Sequence, residues 1–526
     1  MKLMQRSLFF LLSLAVFLSL SASPCSAQGN RILFIPHDDR PISFHMHADI
    51  VEKTGDTVIV PPHELLGSWN SPGYPDELWK WLEENAPGCR TAIISTDSMI
   101  YGSLVASRKH DIPLETLLSR AKRFEQLHEK FPRLNIYSFS SIMRTPATSE
   151  SSGNEDAAYY AKYGTDIFRY TALIDKRETD GLTKKEEKEY EQLDKKIPAE
   201  VLSDWMGRRE KNYKVNEYLA SLVNRQIFSY LILSLDDNAP YCQTHLEARH
   251  LKAVIQDPNP SHFAIMMGLD EDAILLMARA INNDKMNTPF IYTEYSDGTG
   301  ANTIPTYCSE PIGKSIKDAI FACGGFPVPA PKNADLVLLV NTNFDGSTPE
   351  APSESNTIIP RPETNPFISR VERYVSAGYP VAIGDIAYGN GADNALMNQL
   401  KERNLLFAIN SYGGWNTATN SIGFLIGESV LLPMMPEKDA KQLLITRYLD
   451  DWAYQANVRQ MVWAKLEELP GKGNLSSLDD KKADAESFAT EMMQKFATEN
   501  ILPASFWKNL KLTFPWNRTF EADYSF

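Results

Sequence analysis

Two adjacent aspartates, Asp236 and Asp237, follow the most apolar short run of the chain, FSYLILSL. Paired carboxylates at such a position suit divided work. One, with a raised pKa, gives a proton to a leaving group. The other stays ionised and steadies positive charge or an assisting substrate group. Adjacent like charges help push the two pKa values apart. The competing reading is a metal-binding or loop-capping pair.

Other short apolar runs also end in residues that can do chemistry. Asp38, Asp39 and Arg40 follow the first, and Asp97, Tyr101 and Arg108 the second. Arg144 follows the third, Asp270 and Glu271 the fifth, Asp385 and Tyr388 the eighth, and Trp415, Asn416 and Asn420 the last. A buried carboxylate is costly unless paired, and here arginines are interleaved with the acids. Such a set can bind a polyhydroxylated ligand, with carboxylates accepting from hydroxyls and arginines donating. Tyr101, Tyr388 and Trp415 are the expected stacking surfaces for a sugar ring. Singly, Asp97, Asp272 and Asp297 read as well as helix N-caps.

The elements that must position these residues are nine short strands. The sequence predicts them at residues 32–36, 92–95, 136–139, 230–235, 263–267, 290–293, 336–340, 381–384 and 406–409. Several are nearly continuous apolar runs, as parallel strands buried on both faces are. Helical spacing lies between them, at 115–130 and 271–283 for example, so the fold class is α/β with parallel pairing. In such folds the loops beyond the strands' carboxyl ends build the site. The expected architecture is a (β/α) barrel-like body, with two doubly wound α/β domains split near residue 255 as the rival. Residues 174–225 are highly charged and read as a solvent-facing helical insertion. Residues 437–526 form a helical C-terminal region in which Leu444, Tyr448, Trp452 and Ala456 share one face.

Residues 1–27 read as a signal peptide: Lys2 and Arg6, an apolar stretch over 8–20, then Cys25-Ser26-Ala27 as a small-x-small cleavage site. The α/β domain then covers 28–436, in a secreted or periplasmic protein. A lipidated Cys25 is the alternative, against which Pro24 counts. No later segment is apolar and long enough to span a membrane. A net charge of −14 speaks against a nucleic-acid partner. Of the four remaining cysteines, Cys308 and Cys323 are the best candidates for a bridge, with buried thiols the other reading. The sequence has no HExxH, no Walker loop, no G-x-G-x-x-G and no G-x-S-x-G, and no cofactor is expected. Asp38, Asp39, Asp97, Asp236, Asp270 and Asp385 are the oxygen ligands available to a hard cation, although no metal is the preferred expectation.

The blocks PHDDRP, STDSMIYGSLVASR, SSIMR, LSLDDN, GLDEDA and GGWNTATN resemble, in order, those of the bacterial family known as domain of unknown function 4127, from about Ile32 to Gly423. The family pattern reads PLDERP at the first block, so His37 and Asp39 depart from it. The family name carries no activity. A second resemblance concerns chemistry alone: Asp236-Asp237 is similar to the acid pair of glycosidases that cleave N-acetylhexosamines with help from the substrate's acetamido group. That resemblance implies Asp236 as polariser of the acetamido group and Asp237 as general acid. The expected function is glycoside hydrolysis by carboxylate acid catalysis, with a carbohydrate as partner. The rivals are a metal-dependent hydrolase of phosphate or sulfate esters, a carbohydrate deacetylase, and a non-catalytic sugar-binding protein.

Overall fold

A computed structural model of the chain describes residues 29–147, 155–255, 259 and 261–526. The expected signal peptide lies outside the described residues. The first sheet contains β1 (Arg31–Ile35), β2 (Thr57–Ile59), β3 (Thr91–Ser95), β4 (Asn135–Ile142), β5 (Tyr230–Leu235) and β6 (Phe263–Met267). The second contains β7 (Phe290–Tyr295), β8 (Phe326–Pro327), β9 (Leu336–Asn341), β10 (Val381–Asp385) and β11 (Ser411–Gly413). Every pairing within these two sheets is parallel.

The strands therefore form two separate sheets, and no closed barrel is seen among the described residues. The orders are β2-β1-β3-β4-β5-β6 and β11-β10-β9-β7-β8. Counted from its own first strand, the second sheet runs 2-1-3-4-5, the order with which the first sheet begins. In both units the winding reverses beside the first strand, the point in such sheets where a crevice is expected at the carboxyl ends. The α/β class and the parallel pairing hold. Eight of the nine expected strands are present; the run 406–409 instead packs as a turn, and the strand begins at Ser411.

Central strands such as β5, YLILSL, are buried along their whole length because helices cover both faces. Two helices, Asp272–Asp284 and Ala418–Leu431, pack against each other between the sheets. The first lies on β3 and β4, the second on β10 and β11. Gly423 and Gly427 set their separation. A Cβ at Gly423 would stand 2.3 Å from Glu271 Cγ, and one at Gly427 2.9 Å from Ile274 Cγ2. Gly423→Ala is expected to lower stability by about 1–3 kcal/mol through overpacking, measured by urea unfolding with an unchanged slope.

Within the charged insertion, the helix Lys184–Lys196 opens with a capping box of Thr183 and Glu186 and buries only Leu193. The next helix, Ala199–Val223, is not solvent-facing as expected. It seals the first sheet with Val215, Leu219 and Leu222. The C-terminal region is mostly helical and covers the second sheet. Leu444, Tyr448, Trp452 and Ala456 are all buried there. From Tyr448 to Val458 the helix widens to π-helical turns. A hairpin of β12 (Lys511–Thr513) and β13 (Asp523–Ser525) ends the chain. Among the described residues no helix is long and apolar enough to cross a membrane. Cys308 and Cys323 do not form the expected bridge. Cys308 Sγ lies 3.8 Å from Thr419 Oγ1, and Cys323 Sγ donates to the Ile320 carbonyl at 3.2 Å.

Candidate functional site

The carboxyl ends of the two sheets meet around a cleft of about 330 Å³. From the first sheet come Arg40 beyond β1, Arg144 beyond β4, Asp236 and Asp237 beyond β5, and Asp270 beyond β6. Asn390 beyond β10 and Asn416 beyond β11 come from the second. Arg108 and Asn420 line it as well, and of these lining residues only Asn390 was not among those expected from the sequence.

Asp236 and Asp237 have opposite surroundings. Asp236 Oδ2 accepts from Arg108 Nη2 at 2.6 Å, and its Oδ1 accepts from the Asp237 amide at 2.9 Å. The nearest cation to Asp237 is Arg144, with Nη1 3.5 Å from Oδ2. The Asp237 side chain is 30% exposed to the cleft, against 10% for Asp236. Burial, and then the Asp236 charge, push the Asp237 carboxyl up to about 7 against the pull of Arg144 and Arg108.

A second charged group forms the far wall. Arg40 Nη2 donates to Asp270 Oδ1 at 2.8 Å, and its Nε donates to both oxygens of Asp38 at 3.0 Å. Asp270 Oδ2 accepts from Asn416 at 3.0 Å and Asn420 at 3.2 Å, which ties the two sheets together across the cleft. Burial opposes the charge on Asp270, but Arg40 and His37 hold its carboxyl well below the usual range. His37 lies beneath, with Nε2 3.2 Å from Asp270 Oδ1 and 2.9 Å from Ser43 Oγ.

The third group was not legible in the sequence. Glu155 Oε2 accepts from Arg108 Nη1 at 2.6 Å and lies 3.0 Å from Arg144 Nη1, while its Oε1 pairs with Arg518. Burial works against ionising Glu155, but the three arginines hold its carboxyl well below the usual range. Arg518 reaches the cleft from the irregular C-terminal stretch and stacks over Trp69 at 4.3 Å. Glu350, from the loop after β9, accepts from Tyr307 Oη at 2.9 Å and Asn390 Nδ2 at 2.8 Å. Tyr307 and Asn390 both have positive φ, +69° and +59°. Left-handed backbone in a tyrosine is uncommon and gathers at functional sites.

Eight residues expected at the site lie off the cleft surface. Asp39 accepts from Trp516 Nε1 at 2.6 Å and anchors the C-terminal stretch. Asp97 ties β3 to β4 through Ser141, accepting from its amide at 3.0 Å and its hydroxyl at 2.8 Å. Tyr101 is buried and stacked on His110, with ring centroids 5.0 Å apart. Glu271 turns back to accept from the Leu269 amide at 2.8 Å. Asp385 organises the second sheet, accepting from Tyr412 Oη at 2.7 Å and the Asp393 amide at 2.7 Å. Tyr388 donates to the Ser355 carbonyl at 2.8 Å, and Trp415 is buried among apolar neighbours. Asp38 stands behind Arg40 rather than on the cleft surface. The aromatic surfaces that do line the cleft are Trp69, Tyr307, Trp463 and Phe520.

The six aspartates considered as cation ligands do not gather. Among the described residues no group of three or more His, Cys, Asp or Glu side chains is placed to hold a metal ion. No curated protein matches the chain. The model of a family described as "Protein of unknown function (DUF4127)" matches residues 32–525, and the chain belongs to that family.

Proposed function

We propose that the cleft cleaves a glycosidic bond by general acid catalysis, with Asp237 giving the proton and Asp236 remaining the anion of the pair. The observation that carries this reading is the contrast within one dipeptide. Asp236 is ion-paired to Arg108, whereas Asp237 is partly open to the cleft and raised to about 7. A general acid works best when its pKa lies near the working pH. Trp69, Trp463, Tyr307 and Phe520 offer the aromatic faces that a sugar ring stacks on, and Asn390, Asn416 and Asn420 offer amides for its hydroxyls. With an N-acetylhexosamine at the cleaved position, the acetamido oxygen would attack the anomeric carbon as the leaving oxygen takes the Asp237 proton. Asp236 would steady the charge that develops on the acetamido group.

The test is turnover of a panel of aryl glycosides, acidic and neutral, by the purified chain and by Asp237→Asn. The proposal expects turnover in the first and its near loss in the second. A folded Asp237→Asn variant that keeps the full rate removes Asp237 from the role.

A further inference from the structure

Five arginines line the cleft, and four of them have carboxylate partners. Arg40 is held by Asp38 and Asp270, Arg108 by Asp236 and Glu155, Arg144 by Asp156 and Glu155, and Arg518 by Glu155 and Glu521. Arg459 is the exception. Among the described residues no carboxylate lies within ion-pair distance of it. Its hydrogen bond goes from Nη1 to the neutral Gln455 Oε1 at 2.5 Å. The residue is only 8% exposed, and its Nε is buried without a partner. Trp463 and Phe520 flank the guanidinium, each ring centroid 4.9 Å from Cζ. Glu350 also lines the cleft, but Tyr307 and Asn390 already occupy its two oxygens.

A buried guanidinium without an anion is costly, and removing either member of a buried pair is strongly destabilising for the same reason. Burial moves Arg459 down from the usual arginine range, while the other four move up. The missing anion is best supplied by a ligand, because Arg459 stands on the cleft wall, which Thr519 and Ser476 also line with hydroxyls. One unmatched positive charge calls for one negative charge. The Glu350 carboxylate, which acts on the Arg459 charge, disfavours a doubly charged phosphate. A planar carboxylate also fits the guanidinium fork.

We infer that Arg459 is the recognition residue for a carboxylate on the saccharide, so that the substrate is an acidic glycan. This deepens the glycosidase reading and rests on it for the word substrate.

The test is calorimetric titration of the full chain with D-glucuronate, D-galacturonate and N-acetylneuraminate. The neutral parents D-glucose, D-galactose and N-acetylmannosamine, and D-glucose 6-phosphate, serve as comparisons. At least one acid is expected to bind about tenfold to a hundredfold more tightly than its neutral parent, as a charge-assisted contact does. Arg459→Gln should erase that preference while leaving neutral-sugar affinity alone. Arg459→Lys, which keeps the charge and loses the fork, should keep part of it, and it serves as the readout if Arg459→Gln fails to fold. The unliganded Arg459→Gln chain should melt no lower than the parent, because it no longer buries an unmatched charge; a merely structural arginine would lower the melting temperature. Equal affinity for acids and neutral parents overturns the inference, as does a preference that survives both variants or tighter binding of the sugar phosphate. Asp237→Asn should keep the preference. An Arg459-dependent preference without turnover of any glycoside would sink the hydrolase reading alone. Turnover of neutral and acidic glycosides at equal rates would sink this inference alone.

Discussion

Under the glycosidase proposal, Asp237→Asn is expected to lower kcat/KM by about 10²- to 10⁴-fold, the usual contribution of a positioned general acid. That corresponds to roughly 3–5 kcal/mol of transition-state stabilisation. The amide nearly matches the carboxyl in size and still faces Arg144, so folding is undisturbed and the loss is chemical. The pH profile separates this from a binding defect. A general acid must be protonated, and Asp237 is raised to about 7. The rate of the parent chain therefore falls as pH rises through that value, and the variant's residual rate lacks this limb. Substrates whose leaving group needs no proton, such as a glycosyl fluoride, should lose far less. A limb that persists unchanged in the variant would assign the titration to another group. Asp236→Asn has a different signature: it breaks the 2.6 Å contact with Arg108 and should depress the rate with every leaving group.

Glu155→Gln destabilises the fold by about 3–5 kcal/mol, the range seen when a buried ion pair loses one partner. The loss is large because one carboxylate faces the guanidiniums of Arg108, Arg144 and Arg518. Only the Asp236, Asp156, Asp237 and Glu521 contacts then remain to balance them. The sign of the pH dependence follows from the lowered carboxyl of Glu155. A carboxylate held low in the folded state contributes stability that is fully present above its unfolded pKa, about 4.3. That contribution fades as pH falls through that value toward the folded one. The parent chain should thus lose stability on acidification more steeply than Glu155→Gln, and the two curves should converge at low pH. Urea unfolding followed by tryptophan fluorescence, in steps from pH 7 down to about pH 2, measures this. Parallel curves would mean that Glu155 is not ionised in the folded chain.

The residues legible in the sequence were those whose place follows from a neighbouring strand. Arg40, Arg144, Asp236 and Asp270 each lie within a few residues of a strongly apolar run, and the end of a buried parallel strand leaves the next residues at the sheet's carboxyl edge. Direction was not legible. Tyr101, Tyr388 and Trp415 also follow strands, but their rings turn into packed interiors, since an aromatic side chain gains more by full burial than by waiting in a cleft. Closure was not legible either. A strand count is the same for a ring and for two open sheets, and only the pairing β2-β1-β3 shows that the winding reverses. Within 406–409 only Leu406 and Ile409 are buried, in the cluster that holds Tyr448, whereas the true edge strand, SYG, is too short and polar to show a pattern. Arg459, Arg518 and Phe520 left no local signal, since they reach the cleft from helices and irregular chain that close over it.

The wall supplied by Arg518 has a consequence for how the site comes into being. A ribosome delivers the first sheet, with Arg40, Arg108, Arg144 and Asp236, long before it delivers residue 518. Until then Glu155 lacks one of its three guanidiniums, and the cleft lacks both the Arg518 stack on Trp69 and the Phe520 face. Domains tend to fold as they emerge, and contacts this distant in sequence form late. The complete cleft is therefore a property of the finished chain. A single proteolytic cut in the stretch around residues 470–476, which joins the helices Arg459–Glu468 and Lys482–Asn500, could silence the site while leaving both sheets intact.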